Sequence, residues 1–139
     1  ILWDGCCKYH NNIKINEIYE LKEKYPNSKI LVHPECQKQI RDIADYIGST
    51  AGIINYATNN DYKDYIIATE EGILYELKKK NPDKNFYIPG GSISCVDMKK
   101  TTLNNLYDTL LNMKNEVILD ESVSKNALKC LENMHSLAK

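Results

Sequence analysis

Four stretches of this chain carry side chains able to do chemistry. Trp3-Asp4-Gly5-Cys6-Cys7-Lys8-Tyr9-His10 sets two thiols and an imidazole in one loop, directly after Ile1-Leu2-Trp3, which reads as the end of a strand within a larger protein. Cys7 and His10 have a spacing that serves a metal, although a zinc site takes four ligands and no second C-x-x-C pair accompanies them. A packed, reduced cysteine is the plain alternative. In His33-Pro34-Glu35-Cys36, the imidazole can donate to a ligand and the carboxylate can act as base or metal ligand. The alternative is a histidine bonded to neighbouring backbone and a glutamate that caps the next helix. Gly48-Ser49-Thr50 puts two hydroxyls at a helix start, where free N–H groups favour a phosphate or carboxylate, though most such caps hold no ligand. Cys95, in Ser94-Cys95-Val96-Asp97-Met98-Lys99-Lys100, is the fourth candidate.

Elements must position these segments. From residue 13 onward, Ile15, Ile18, Leu21 and Tyr25 recur at helical spacing until Pro26-Asn27-Ser28 ends the segment. Lys29 to Val32 predicts a buried strand that delivers His33 to Cys36 at its carboxyl end. Ile40, Ile43, Ala44 and Ile47 predict an amphipathic helix that stops at Gly48, after which Ser49 and Thr50 cap another through Ile53, Ile54 and Ala57. Asp64 to Ala68 predicts a second strand. Thr69 starts a helix that buries Ile73, Leu74 and Leu77 and leaves Lys78-Lys79-Lys80 at its solvated C-terminus, where cations suit the dipole. Asn85 to Ile88 predicts a third strand, closed by Pro89-Gly90-Gly91. Strands alternating with helices require a parallel sheet covered on both faces, and the loops carrying Cys7, His33 and Cys95 follow strands, on the side where such sheets bind ligands.

The remainder differs. Thr101 or Thr102 caps a helix through Leu103, Leu106, Tyr107, Leu110 and Leu111, and Ser122 or Ser124 starts a last one through Leu128, Leu131 and Met134. Each has one apolar stripe, to be buried on the sheet domain or on protein outside this chain. Cys36 and Cys130 read as structural.

Composition narrows the function classes. At 139 residues the chain fits one domain with an appendage. Lys and Arg number 18 against 19 Asp and Glu, so net charge gives no reason to expect nucleic acid or an anionic membrane as partner. Apolar runs such as Tyr65-Ile66-Ile67-Ala68 fall far short of the roughly 20 residues that span a bilayer. Five cysteines make an odd number without a regular framework, which fits a reducing cytoplasm better than a disulfide-stapled secreted domain.

In order and separation these segments resemble the quinolinate synthase family. Its Trp-x-Gly-x-Cys-x-x-His loop is matched by Trp3, Gly5, Cys7 and His10, its His-Pro-Glu-Cys by His33 to Cys36, and its Gly-Ser-Thr turn by Gly48 to Thr50. Its Ala-Thr-Glu-x-Gly-Ile stretch runs from Ala68 to Ile73, and Cys-x-x-Met-Lys with a following Thr-Leu is matched by Cys95, Met98, Lys99, Thr102 and Leu103. Cys6 beside Cys7 is a departure that leaves a swap of roles open, and Asp4 stands where the family more often has Pro.

The resemblance implies an α/β fold: a three-layer αβα unit with a short parallel sheet, one of three pseudo-threefold-related units in the parent enzyme, plus two C-terminal helices. Residues 1–7 would end the preceding unit and bring the cluster loop, residues 8–95 would form the unit carrying the substrate loops, and residues 96–139 the helical segment. The implied activity is a transferase reaction of NAD biosynthesis, condensing iminosuccinate with dihydroxyacetone phosphate to quinolinate. It implies a four-iron, four-sulfur (4Fe-4S) cluster on three cysteines, one iron keeping an open position. Carried over by position, Cys7 and Cys95 are metal ligands, with the third upstream; Glu35 and His33 are catalytic; and His10, His33, Glu35, Ser49 and Thr50 bind substrate. Implied partners are the small-molecule substrates, the upstream part of the same enzyme and an aspartate oxidase supplying iminosuccinate, with no nucleic acid and no membrane. The chain by itself, short of one ligand, is expected to be inactive. The residues alone leave open two alternatives: a small metal-binding or redox module on Cys6, Cys7, His10 and Cys36, and an interaction domain docking through its C-terminal helices.

Overall fold

The computed structural model of the chain describes residues 5–138; the expected strand end at Ile1 to Trp3, with Trp3 and Asp4 of the first motif, lies outside them. Two compact units divide at Val96.

In the first unit, the apolar runs form the strands that their composition dictates. β1 (Lys29–Val32), β3 (Asp64–Ala68) and β4 (Asn85–Tyr87) fall where the sequence puts them. Ile30, Leu31, Val32 and Tyr65 to Ala68 are all buried, as strands covered on both faces must be. All pairings are parallel and the order is β2-β1-β3-β4, with Ile30 opposite Ile66 and Tyr65 opposite Phe86. The helices α1 (Lys8–Asn11), α2 (Ile15–Lys24), α3 (Lys38–Arg41), α4 (Thr50–Asn59) and α5 (Ile73–Lys80) make this an αβα unit. Its core joins Ile18, Ile40, Ile53 and Leu77 to the strands. Lys84 Nζ caps α4 by donating to the carbonyls of Ala57 and Asn60, at 2.6 and 2.5 Å.

Three local expectations are corrected. The helix expected through Ile47 ends at Arg41, and Tyr46–Ile47 is instead the edge strand β2, paired with Leu31 and Val32. Asp45 explains the switch: its carboxylate takes the Ile30 N–H at 2.8 Å and the Lys29 ammonium at 2.7 Å, while its own N–H donates to the Ile30 carbonyl. Long-range bonds to a formed strand override the local period. Thr69 does not start α5, which begins after Gly72; it is drawn into a buried contact described below. The loop around Cys7 winds into the single turn α1.

The second unit holds α6 (Leu103–Asn112) and α7 (Glu121–Leu137). Thr102 caps α6 as expected, its hydroxyl accepting from the Asn105 N–H at 3.2 Å. Asp120, rather than Ser122 or Ser124, caps α7 by accepting from the N–H groups of Ser122 and Val123. None of its described residues is buried, and Cys130, read as structural, is exposed on α7. No helix among the described residues is long and apolar enough to cross a membrane.

Candidate active site

Strand order reverses direction between β1 and β3, and a crevice opens at the carboxyl ends of strands at such a point. His33 leaves β1 there, its N–H donating to the Ala68 carbonyl at 3.1 Å, and Thr69 leaves β3 beside it. α1 brings His10 over the same point. His10 is buried at 8% exposure, with Nε2 3.0 Å from Thr69 Oγ1 and its ring stacked on His33 at 4.4 Å between centroids.

Glu35 turns its carboxylate to these rings. Its Oε2 lies 3.0 Å from His10 Nδ1 and 3.6 Å from His33 Nδ1. His10 Nδ1 is itself buried, and the Glu35 carboxylate is what it faces. His33 Nδ1 accepts the Glu35 N–H at 3.3 Å, which in the neutral ring puts the proton on Nε2. Half of the plain reading of this motif therefore holds: His33 does bond neighbouring backbone, whereas the Glu35 carboxylate faces the two histidines. Burial pushes the His10 pKa below its usual value of about 6.5, with His33 adding to the effect and Glu35 opposing it.

Cys7 completes the group. Ligating atoms of Cys7, His10 and Glu35 lie within 4.8 Å of one another, beside an open depression of about 640 Å³ that Cys6, Asn11 and Arg41 also line. Cys36 stands apart chemically: its buried thiol donates to the Ala68 carbonyl at 3.4 Å, and burial pushes its pKa up to about 11.

Ser49 and Thr50 sit at the same edge of the sheet, through Gly48, whose N–H donates to the Val32 carbonyl at 3.1 Å. Ser49 caps α4 by accepting the Gly52 N–H at 3.2 Å, and both hydroxyl residues are exposed. No contact among the described residues joins them to the His10, His33 and Glu35 group. The Tyr46 ring, stacked on Tyr56, lies so close to Gly48 and Gly52 that a Cβ at either would meet its hydroxyl at 2.5 or 2.6 Å. Glycine is needed at both positions for that approach. Cys95 is half-buried and free, on a segment whose backbone meets Glu70 and Tyr9.

Sequence reasoning passed over Thr69, Glu70 and Tyr9 as site residues. Thr69 and Glu70 directly follow a buried strand and are themselves buried, at 3% and 9% exposure, and their place at the carboxyl end of a parallel strand, within the Ala68 to Ile73 motif, was the available signal. Tyr9 carried no signal of its own.

Fold and site together define an α/β unit with a thiol, two imidazoles and a carboxylate gathered at a sheet's switch point. The chain belongs to the family described as Quinolinate synthetase A protein, whose model matches residues 1–136. Among curated proteins it is 68% identical over 138 residues to the quinolinate synthase of Clostridioides difficile (strain 630), covering 99% of this chain and 45% of that protein. It is 51% identical to the quinolinate synthase of Clostridium novyi (strain NT), with the same 99% and 45% coverage. To that of Clostridium acetobutylicum it is 47% identical over 96% of this chain and 44% of the relative. The chain thus spans a little under half the length of these enzymes.

Proposed function

We propose that this chain is the C-terminal part of a cytoplasmic quinolinate synthase that condenses iminosuccinate with dihydroxyacetone phosphate, releasing phosphate and water. In this reading Cys7 and Cys95 are two of three ligands to a 4Fe-4S cluster, the third coming from upstream, and residues 8–95 are one of three related units. The observation that carries the reading is the meeting of Cys7, His10, His33 and Glu35 at the switch point of the sheet.

The chemistry of the thiols supports this assignment, although the close group of possible ligands among the described residues is Cys7, His10 and Glu35, without Cys95. Cys7 and Cys95 are free and half-buried, whereas the thiol of Cys36 is bonded, buried and resistant to the deprotonation that iron requires. When bound, the cluster supplies a Lewis-acidic iron with an open position. The chain's own residues do the rest. With Nδ1 committed to the Glu35 amide, His33 offers its Nε2 proton to a substrate oxygen. Glu35, half-exposed beside both rings, exchanges protons with the substrate. His10, with Nδ1 against Glu35 and Nε2 at Thr69, orients that carboxylate toward the same space. Ser49 and Thr50, at the start of α4, receive a phosphate or carboxylate group. An aspartate oxidase is the partner that would supply iminosuccinate.

The test is Glu35→Gln in the full-length enzyme, purified without oxygen. Iron content is expected to stay at the wild-type level while quinolinate formation falls by about 10²–10⁴-fold, the range for losing a general acid or base. Wild-type turnover would demote Glu35 to a structural role. The grouping of Cys7, His10 and Glu35 also favours a second reading, a single-ion site. Stoichiometric zinc without iron in the full-length protein would support it.

A further inference from the structure

Two consecutive backbone amides, those of Cys95 and Val96, are each captured by a side chain from a distant element. The Cys95 N–H points at Glu70 Oε1 at 3.4 Å, a long contact, and the Val96 N–H donates to the Tyr9 hydroxyl at 3.0 Å. Glu70 is anchored at the end of β3: its other oxygen accepts the Gly72 N–H at 2.7 Å, where α5 begins, and only 9% of the residue is exposed. Tyr9 lies in α1, one residue from His10 and two from Cys7, and its ring packs against the core. The loop that carries Cys95 is thereby tied both to the strand end beneath His10 and to the turn that follows Cys7.

Loops after strands are mobile unless their amides are satisfied, and a multi-ligand centre tolerates little spread in the positions of its donors. We propose that Tyr9 and Glu70 are positioning residues that hold the Cys95 segment in register with the Cys7 segment, so that both thiolates reach one cluster. This rests on the reading of Cys7 and Cys95 as ligands given above. Neither residue needs to touch iron or substrate. Tyr9 links the two cysteine-bearing segments directly, and Glu70 ties the Cys95 segment to the end of β3. Of the two bonds to this loop the Tyr9 one is the shorter, while the Glu70 carboxylate spans two amides.

The experiment uses the full-length enzyme, anaerobically reconstituted with iron and sulfide, and follows iron per chain, visible iron–sulfur absorbance and the rate of iron loss to a chelator. Tyr9→Phe removes only the hydroxyl and keeps the packed ring, so it tests the clamp without threatening the fold. Tyr9→Phe and Glu70→Ala are each expected to speed iron loss, and the double variant to do so by about 10-fold or more, the lower end of the effect for partners that orient metal ligands. Glu70→Gln, which keeps one acceptor oxygen, should fall between Glu70→Ala and wild type. Thermal unfolding of the apo form of Tyr9→Phe is expected to match wild type. Wild-type iron retention in the double variant, with Cys95→Ser losing the cluster, would overturn the clamp and leave the ligand reading standing. Cluster retention in Cys95→Ser would overturn both.

Discussion

Residues up to Val96 and residues from Asp97 onward both contain amphipathic helices, yet the two units handle their apolar faces differently. In the first, α2, α4 and α5 lay Ile18, Ile53 and Leu77 on a sheet and leave none of the three exposed. In the second, α6 and α7 are each well capped but bury nothing: Leu106, Leu110, Leu128, Leu131 and Met134 are all about half or more exposed. Amphipathicity and capping make a helix. A core needs a second surface to receive the stripe, and most helical stability comes from that packing. The chemistry follows the core, since His10 meets Thr69 and His33 where the paired strands β1 and β3 end.

The sharpest way to break this comparison is a pair of core truncations. Ile67→Ala or Leu77→Ala should lower stability by about 2–5 kcal/mol, whereas Leu128→Ala in α7 should stay within about 0.5 kcal/mol in this chain; denaturant unfolding measures both. Equal costs would mean that the second unit has a core after all. A smaller effect is expected from Gly48→Ala, which forces the Tyr46 ring away and loosens β2 at a cost of about 1–3 kcal/mol. Faster amide exchange at Gly48 with β3 unchanged would sharpen the case, and unchanged exchange at Gly48 would count against it.

Asp45→Asn comes next. Burial alone would raise the Asp45 pKa, but the Lys29 bond and the Ile30 N–H outweigh it and hold the carboxylate below its usual value. A depressed folded pKa stabilises above the unfolded value of about 3.9, and that stability is lost as pH falls through the folded value. The melting temperature of Asp45→Asn should therefore lie a few degrees below wild type at pH 7, with the gap closing below about pH 4. A gap that persists in acid would assign the loss to something other than the charge. Smallest of all, Asp120→Ala should reduce helical circular dichroism from α7 and leave the unfolding transition of the sheet unit where it was.

Much of the fold was legible because its signals are local. β1, β3 and β4 are apolar runs between turn residues, and Ser49 marks α4 by its own hydroxyl. β2 was illegible because two residues carry no period, and it exists through Asp45 bonding to β1, fifteen and sixteen positions away. Ile40, Ile43, Ala44 and Ile47 looked helical because their spacing happens to suit a helix, while the actual helix stops at Arg41. Asp120 took the α7 cap from the two serines because a carboxylate accepts two amides at once. For the site, the chemical residues stood out by type, as Cys7, His10, His33 and Glu35 did. The residues that hold them together, Tyr9, Thr69 and Glu70, act through contacts 25 to 87 positions apart, which no local pattern records.

The claim beneath all of this is that two thiols far apart in the chain serve one iron centre while a third, nearer to one of them, does not. Iron per chain in the anaerobically purified full-length enzyme tests it most directly, compared across Cys7→Ser, Cys95→Ser and Cys36→Ser. The first two should each lose the cluster and its visible absorbance, and Cys36→Ser should keep both. Full iron in Cys7→Ser and Cys95→Ser, or its loss only in Cys36→Ser, would contradict the account.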